Sequence, residues 1–229
     1  MTTTRQVPTD TAESTPAVVD APGETLATLT PTSDPTPAVA IVPEREFSGA
    51  DWCARFPGSN STDDLEGDFK TGVNSFICAM KQGGADVSVA ATYRPPERAY
   101  LMHWSWMIAN GKSEAADVSA KAGVNINWDH GNDEASKAAA KAMVAEYGMS
   151  GLKVAPALRS RHTERKAIDM TISWKKELVI AGADGSHVTI KTEPRTGMNE
   201  DLHAVGAGYG VIKFWKGDAD KPHWSTDGR

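Results

Sequence analysis

Lys166-Ala167-Ile168-Asp169-Met170-Thr171-Ile172-Ser173-Trp174 is the stretch on which the fold class turns. Its residues alternate. Ile168, Met170, Ile172 and Trp174 point one way, and Ala167, Asp169, Thr171 and Ser173 point the other, the period of a strand with one face on a core. Downstream, Leu178–Ile180 and Val188–Ile190 read as short strands joined by the turn Asp184-Gly185 and expected to pair with it. A short helix at Glu200–Ala207 and a strand at Val211–Trp215 close the chain. Upstream the period changes to that of helices. Asp63 or Asp64 is expected to cap a helix reaching Gln82, with Leu65, Phe69, Val73, Phe76, Ile77 and Met80 on one face and Gly83-Gly84 as its stop. A strand at Val87–Tyr93 follows. Pro95-Pro96 then opens a helix reaching Asn110, and Asp133 caps an Ala-rich helix that Gly148 ends. Helices first and a mostly antiparallel sheet afterwards make an α+β pattern, with N-terminal helices packed on a small sheet.

Composition divides the chain. Residues 1–46 hold 7 of the 13 prolines, 11 threonines, no aromatic residue, and 7 acids against Arg5 and Arg45. Such a stretch buries too little apolar surface to offset the entropy of ordering, and it reads as a disordered tail or linker. The domain is expected over 47–229, where 23 acids face 22 bases. That balance argues against nucleic-acid binding, which needs a basic footprint. No run approaches the ~20 apolar residues of a membrane span. Met1 to Pro22 has a single basic residue and no apolar stretch, so no export signal is expected and the chain is read as made in the cytoplasm. Cys53 and Cys78 are too few for a disulfide scaffold and read as two buried free thiols, with pairing as the alternative.

The chemistry-bearing residues gather late in the chain. Asp169 lies on the polar face of its strand, and a carboxylate there wants water, a cation or a metal. His162 stands seven residues earlier, across a charged turn. Asp220 and His223 are three apart in Asp-Lys-Pro-His-Trp. Two histidines and one carboxylate suffice for catalytic zinc with a position left for water, and a second carboxylate can take that water's proton. Spacing alone leaves two readings open, a metal site or ordinary surface polar residues.

Ser160-Arg161-His162-Thr163-Glu164-Arg165-Lys166-Ala167-Ile168-Asp169 resembles the S-x-H-x-x-G-x-A-x-D signature of the zinc D-Ala-D-Ala carboxypeptidases and L-alanyl-D-glutamate endopeptidases, which share a fold with the hedgehog signalling domain. Asp220-Lys221-Pro222-His223-Trp224 is similar to their second signature, and Ala91-Thr92-Tyr93-Arg94 to their S-G-Y-R element. The resemblance implies His162, Asp169 and His223 as zinc ligands, Asp220 as catalytic base and Arg94 as the group that fixes the substrate. It further implies hydrolysis of peptidoglycan stem or cross-link peptides. The missing export signal fits a phage lysis enzyme or an injected effector, whose partners would be delivery machinery or an immunity protein. Arg165 departs from the family by replacing Gly, which brings a cation near the metal. The region between Arg94 and His162 has no counterpart in the family pattern. Three rivals stand beside this reading: a non-catalytic wall-binding homologue, a cysteine peptidase using Cys53, and a hedgehog-like signalling domain, against which the survival of all three peptidase elements argues.

Other features carry less. Gly206-Ala207-Gly208-Tyr209-Gly210 precedes a strand, not a helix, and so is no phosphate cradle. Asp129-His130-Gly131-Asn132-Asp133 reads as a polar capping loop and His103 as a structural histidine. His187 and His203 have no recognisable partner, and most of the seven tryptophans read as core.

Overall fold

Phe69, Val73, Phe76 and Met80 are all buried on α1 (Gly67–Gln82), the stripe that a 3.6-residue period turns toward a core. The helix starts later than Asp63 or Asp64. Those acids sit in a 3₁₀ turn, Thr62–Asp64, that Ser61 caps by accepting from the Asp63 N–H. Leu65 then runs extended and buried, which separates that turn from the helix. The computed structural model describes residues 44–229. Most of the expected tail lies outside the described residues, but Glu46 already belongs to β1 (Glu46–Phe47) and ion-pairs with Arg55.

β2 (Asp86–Ala91) leads to α2 (Pro96–Ala109), which has proline in its first turn as expected. β3 (Ile126–Asn127) pairs in parallel with β1. α3 (Asp133–Glu146) is capped by Asn132, whose side chain accepts from the Ala135 N–H, not by Asp133. Asp133 instead pairs with Lys137 one turn on, at 2.7 Å. The deciding stretch forms β4 (Ala167–Ser173), followed by β5 (Leu178–Ala181), β6 (His187–Ile190), α4 (Glu200–Gly208), β7 (Ile212–Lys213) and β8 (His223–Ser225). The architecture is α+β, with four α-helices and mainly antiparallel pairing among the described residues. None of these helices is long and apolar enough to cross a membrane.

The principal sheet has the order β2-β4-β8-β7, antiparallel throughout. This corrects one expectation. β5 and β6 pair only with each other, as a separate hairpin, because β2 and β8 already occupy both edges of β4. The hairpin contributes Leu178, Ile180 and Ile190 to the core shared by α1, α4 and one face of the sheet. Ile168, Met170, Ile172 and Trp174 enter that core together, as their alternation requires. Each adds roughly 1.5–3 kcal/mol of burial. α2 and α3 pack mostly on each other around Leu101, Ile108 and Met143, forming a second core with Trp52 and Trp128. Five tryptophans are buried, Trp104 is half-buried, and Trp215 is 68% exposed. Cys53 is a buried free thiol, whereas Cys78 is an exposed one.

Gly72 sets how closely the end of α4 approaches α1, since a Cβ there would lie 2.1 Å from the Tyr209 carbonyl oxygen. In an exposed helix, alanine would gain about 1 kcal/mol over glycine. Here Gly72→Ala should cost about 1–3 kcal/mol through overpacking. Urea denaturation checks this, and a stabilised variant would contradict the contact.

Candidate metal centre

Asp169 and His223 are direct cross-strand partners on β4 and β8. Directly paired residues share a face of the sheet, so both side chains emerge on the side opposite the core. Trp224, next along β8, turns the other way and is fully buried against Phe76. One aromatic anchor therefore fixes the register that aims the histidine. The ladder continues beyond β8, where the Met170 N–H donates to Pro222 O at 2.9 Å.

His162 arrives from the turn before β4. The Lys166 N–H donates to Arg161 O at 2.8 Å, and the Arg165 N–H to His162 O at 3.3 Å. This is the bonding of a helix C-terminal turn closed by a left-handed residue. That residue is Arg165, at φ 59°. Glycine takes this conformation without steric cost. Arginine takes it because its side chain is tied down. The guanidinium lies 3.8 Å from the Tyr93 ring centroid, pairs with Asp64 and Glu66 at 3.4 and 3.3 Å, and donates to Asp64 O at 3.1 Å. Its charge is thereby engaged by a ring and two carboxylates and does not bear freely on the centre.

The three side chains meet closely. His162 Nε2 and His223 Nδ1 each lie 3.1 Å from Asp169 Oδ1 and 3.2 Å from one another. The outer nitrogens face groups that can only accept: His162 Nδ1 is 2.9 Å from Thr92 O, and His223 Nε2 is 3.0 Å from Arg229 O. Each outer nitrogen therefore carries the proton, and in neutral rings both inner nitrogens present lone pairs. Three acceptors converge with no donor among them. Only an added proton or a cation relieves that arrangement. The electrostatics express the same demand. Burial pushes Asp169 up, but the hydrogen bonds and charge that His162 and His223 supply once protonated outweigh it and hold the carboxyl well below its usual range. Burial pulls His223 down, and the Asp169 hydrogen bond and charge more than reverse this. A tetrahedral ion with ligands at ~2.0–2.1 Å separates its donors by about 3.3 Å, close to the spacing found. The group fits a metal, and it is the one convergent set of three such side chains among the described residues.

Both orienting acceptors escape sequence reasoning as side chains, because they are backbone oxygens. Thr92 lies inside the quoted Ala-Thr-Tyr-Arg element and is fully buried. Its N–H donates to Ser59 O at 2.7 Å, which pins its own carbonyl toward His162. Arg229 carries no sequence signal. Lys213 was also missed. Its buried ammonium donates to the carbonyls of Lys221 at 2.6 Å and His223 at 3.0 Å, with Asp220 O at 3.3 Å, and so organises the segment carrying Asp220 and His223.

Asp220 stands outside the cluster, at the end of a 3₁₀ turn, Gly217–Asp220. Desolvation and then the Asp169 charge push its carboxyl up. Arg94 lines a cavity of about 440 Å³ together with His162, Arg98 and Asn60. Burial pulls its guanidinium down, while Asp169 and Asp220 act on it through space. A larger groove of about 790 Å³, with Tyr100 and Trp104, runs along Thr163 and Glu164 without including the triad.

The remaining candidates resolve as structure. His103 Nδ1 is 2.9 Å from Pro156 O, His130 Nε2 is 2.9 Å from Ser48 Oγ, and His203 Nε2 is 3.0 Å from Gly197 O, while His187 is exposed. Burial raises the Cys53 thiol, the opposite of what a nucleophile needs. No family model matches the sequence, and no curated protein matches it significantly.

Adding a divalent transition metal to chelator-treated protein should raise its melting temperature, by the equivalent of about 2.7 kcal/mol at a hundredfold excess over Kd. His162→Ala and Asp169→Ala should lose the response. The effect should weaken on acidification: His223 must be neutral to bind, and its pKa lies above the ordinary imidazole value of about 6.5. An equal thermal shift in wild type and both variants would remove the metal from the triad.

Arg165 generates a separate expectation. Arg165→Ala loses the ties and keeps the left-handed strain, whereas Arg165→Gly loses the ties alone. Thermal unfolding should rank wild type above Gly and Gly above Ala, the last two separated by about 1 kcal/mol.

Proposed function

We propose that this protein is a zinc-dependent peptidoglycan peptidase, similar to the D-Ala-D-Ala carboxypeptidases and L-alanyl-D-glutamate endopeptidases with their hedgehog-like fold. The observation that carries the reading is the acceptor-only triad of His162, Asp169 and His223, built from residues in the family's motif order. Arg94 supports it by lining a polar cavity beside His162. The depression of Asp169 and the elevation of Asp220 support it too. The first suits a permanently ionised ligand and the second a carboxylate that holds a proton more readily than usual.

His162, Asp169 and His223 would hold the zinc. When bound there, zinc supplies Lewis acidity that polarises a scissile carbonyl and acidifies water. Asp220 accepts a proton from the water that attacks the peptide carbonyl carbon. It returns that proton to the amine nitrogen as the carbon–nitrogen bond breaks. Arg94 offers two parallel N–H donors to a substrate carboxylate or carbonyl and fixes it for attack. The stem peptides of the cell wall carry such carboxylates at terminal D-Ala and at D-Glu or diaminopimelate. A phage lysis enzyme or an injected effector would meet that substrate after release from the cytoplasm in which it is made.

Mass analysis of purified peptidoglycan digested with and without chelator tests the assignment. Wild type should release peptide fragments only when metal is present. Asp220→Ala should keep its zinc and its melting curve yet lose roughly 10²–10⁴-fold in rate, whereas His162→Ala should lose the zinc itself. Zinc uptake with no product would identify a non-catalytic wall-binding homologue. Activity that survives the chelator and falls on thiol alkylation would point to Cys53.

Arg94→Lys keeps the charge and loses the fork. Its kcat/KM on stem peptides should fall while zinc content stays at the wild-type level. Parity with wild type would make Arg94 a structural residue.

A further inference from the structure

Arg161 precedes the ligand His162, and its side chain reaches across to the far end of the chain. Its Nε donates to Asp227 Oδ1 at 3.1 Å, and its Nη2 donates to Asp227 Oδ2, a two-pronged grip. A third donor, Nη1, holds Glu164 in the same turn. Asp227 passes the constraint on. Its Oδ1 accepts from the Arg229 N–H at 3.2 Å. Ser225 Oγ, wholly buried, accepts from the same N–H at 3.0 Å and donates to Arg229 O at 3.0 Å. Arg229 O is in turn the acceptor that faces His223 Nε2 at 3.0 Å. A continuous path of hydrogen bonds therefore joins the residue beside one ligand to the outer partner of another.

We infer that Asp227, gripped by Arg161, is a positioning residue for His223. By fixing the Arg229 backbone oxygen against Nε2 it holds the proton on that nitrogen and leaves Nδ1 free to ligate. Without it, residues 226–229 keep the Ser225 Oγ bonds to the Arg229 N–H and O, the Trp215 N–H to Gly228 O at 3.0 Å and the Thr226 N–H to Lys166 O at 3.2 Å, and lose the link to Arg161. Outer partners of this kind typically set metal affinity by 10–100-fold. Ion pairs that are only structural do not change ligand tautomers. The inference rests on metal binding at the triad and not on which bond, if any, the protein cleaves.

Two measurements on the full chain test it. Nitrogen-15 shifts of the His223 ring, recorded without metal, should show the Nε2–H form in wild type and a mixture of tautomers in Asp227→Ala. Zinc affinity, measured by competition with a chelating dye, should fall about tenfold or more in the same variant. Arg55→Ala removes another ion pair, the one to Glu46, and should leave both readings unchanged. If Asp227→Ala does not fold, Arg161→Gln carries the test, with an affinity about three- to tenfold weaker expected from loss of the grip. Wild-type affinity and an unmixed Nε2–H tautomer in whichever variant folds would overturn the inference, whatever happens to melting temperature. If affinity falls as expected while wild type releases no peptide from peptidoglycan, the positioning role stands and the peptidase reading goes.

Discussion

Asp169 and His223 face one another across two antiparallel strands, and that pairing carries the rest of the candidate site. A cross-strand pair brings side chains within contact distance with no freedom beyond their own rotamers. Here the backbone ladder positions two of three possible ligands, and one turn need only deliver His162. The core side of the same strands secures the register. Ile168 and Trp224 point inward and are fully buried. A slip by one residue would turn the apolar set outward and the ligands inward together.

The electrostatic cost of the centre is balanced locally. With both rings neutral, the half-buried Asp169 carboxylate faces inner-nitrogen lone pairs and no donor. Among the described residues, no lysine or arginine side chain pairs with a side chain of the triad. Arg165 is turned onto Tyr93, Asp64 and Glu66, and the Lys213 ammonium is spent on backbone carbonyls. These two cations are thus employed in shaping the loops around the triad, while Arg94 lines the cavity beside His162. What remains is an acceptor-rich pocket whose natural complement is a cation, with the tautomers of both histidines set from outside by the backbone oxygens of Thr92 and Arg229.

Much of this was legible in the residues themselves. The alternation of Ile168, Met170, Ile172 and Trp174 identified a half-buried strand and placed Asp169 on its outer face. Gly83-Gly84, Pro96 and Gly148 marked helix limits close to those found. His162, Asp169 and His223 were named as ligands from motif resemblance, and they converge. Legibility failed where a tertiary neighbour decided the outcome. β5 and β6 looked like partners of β4, yet no edge of β4 was free for them. β8 is three residues long and follows a proline, too short for any periodicity to announce. Asn132 caps α3 in place of the adjacent Asp133, a choice between neighbouring residues that propensity does not separate.

The sequence by itself determined the α+β class, the inward and outward faces of its long elements, and which side chains have metal-binding chemistry. Those properties are local, set by periodicity and by the chemistry of single residues. Only the tertiary structure decided that three such side chains meet at 3.1–3.2 Å with their lone pairs turned inward. It also decided that Arg165 is directed to Tyr93, and that Arg161 grips Asp227. These depend on contacts between residues up to 101 positions apart, as between Arg165 and Asp64. The orienting groups are backbone oxygens, which every residue possesses and no residue type advertises.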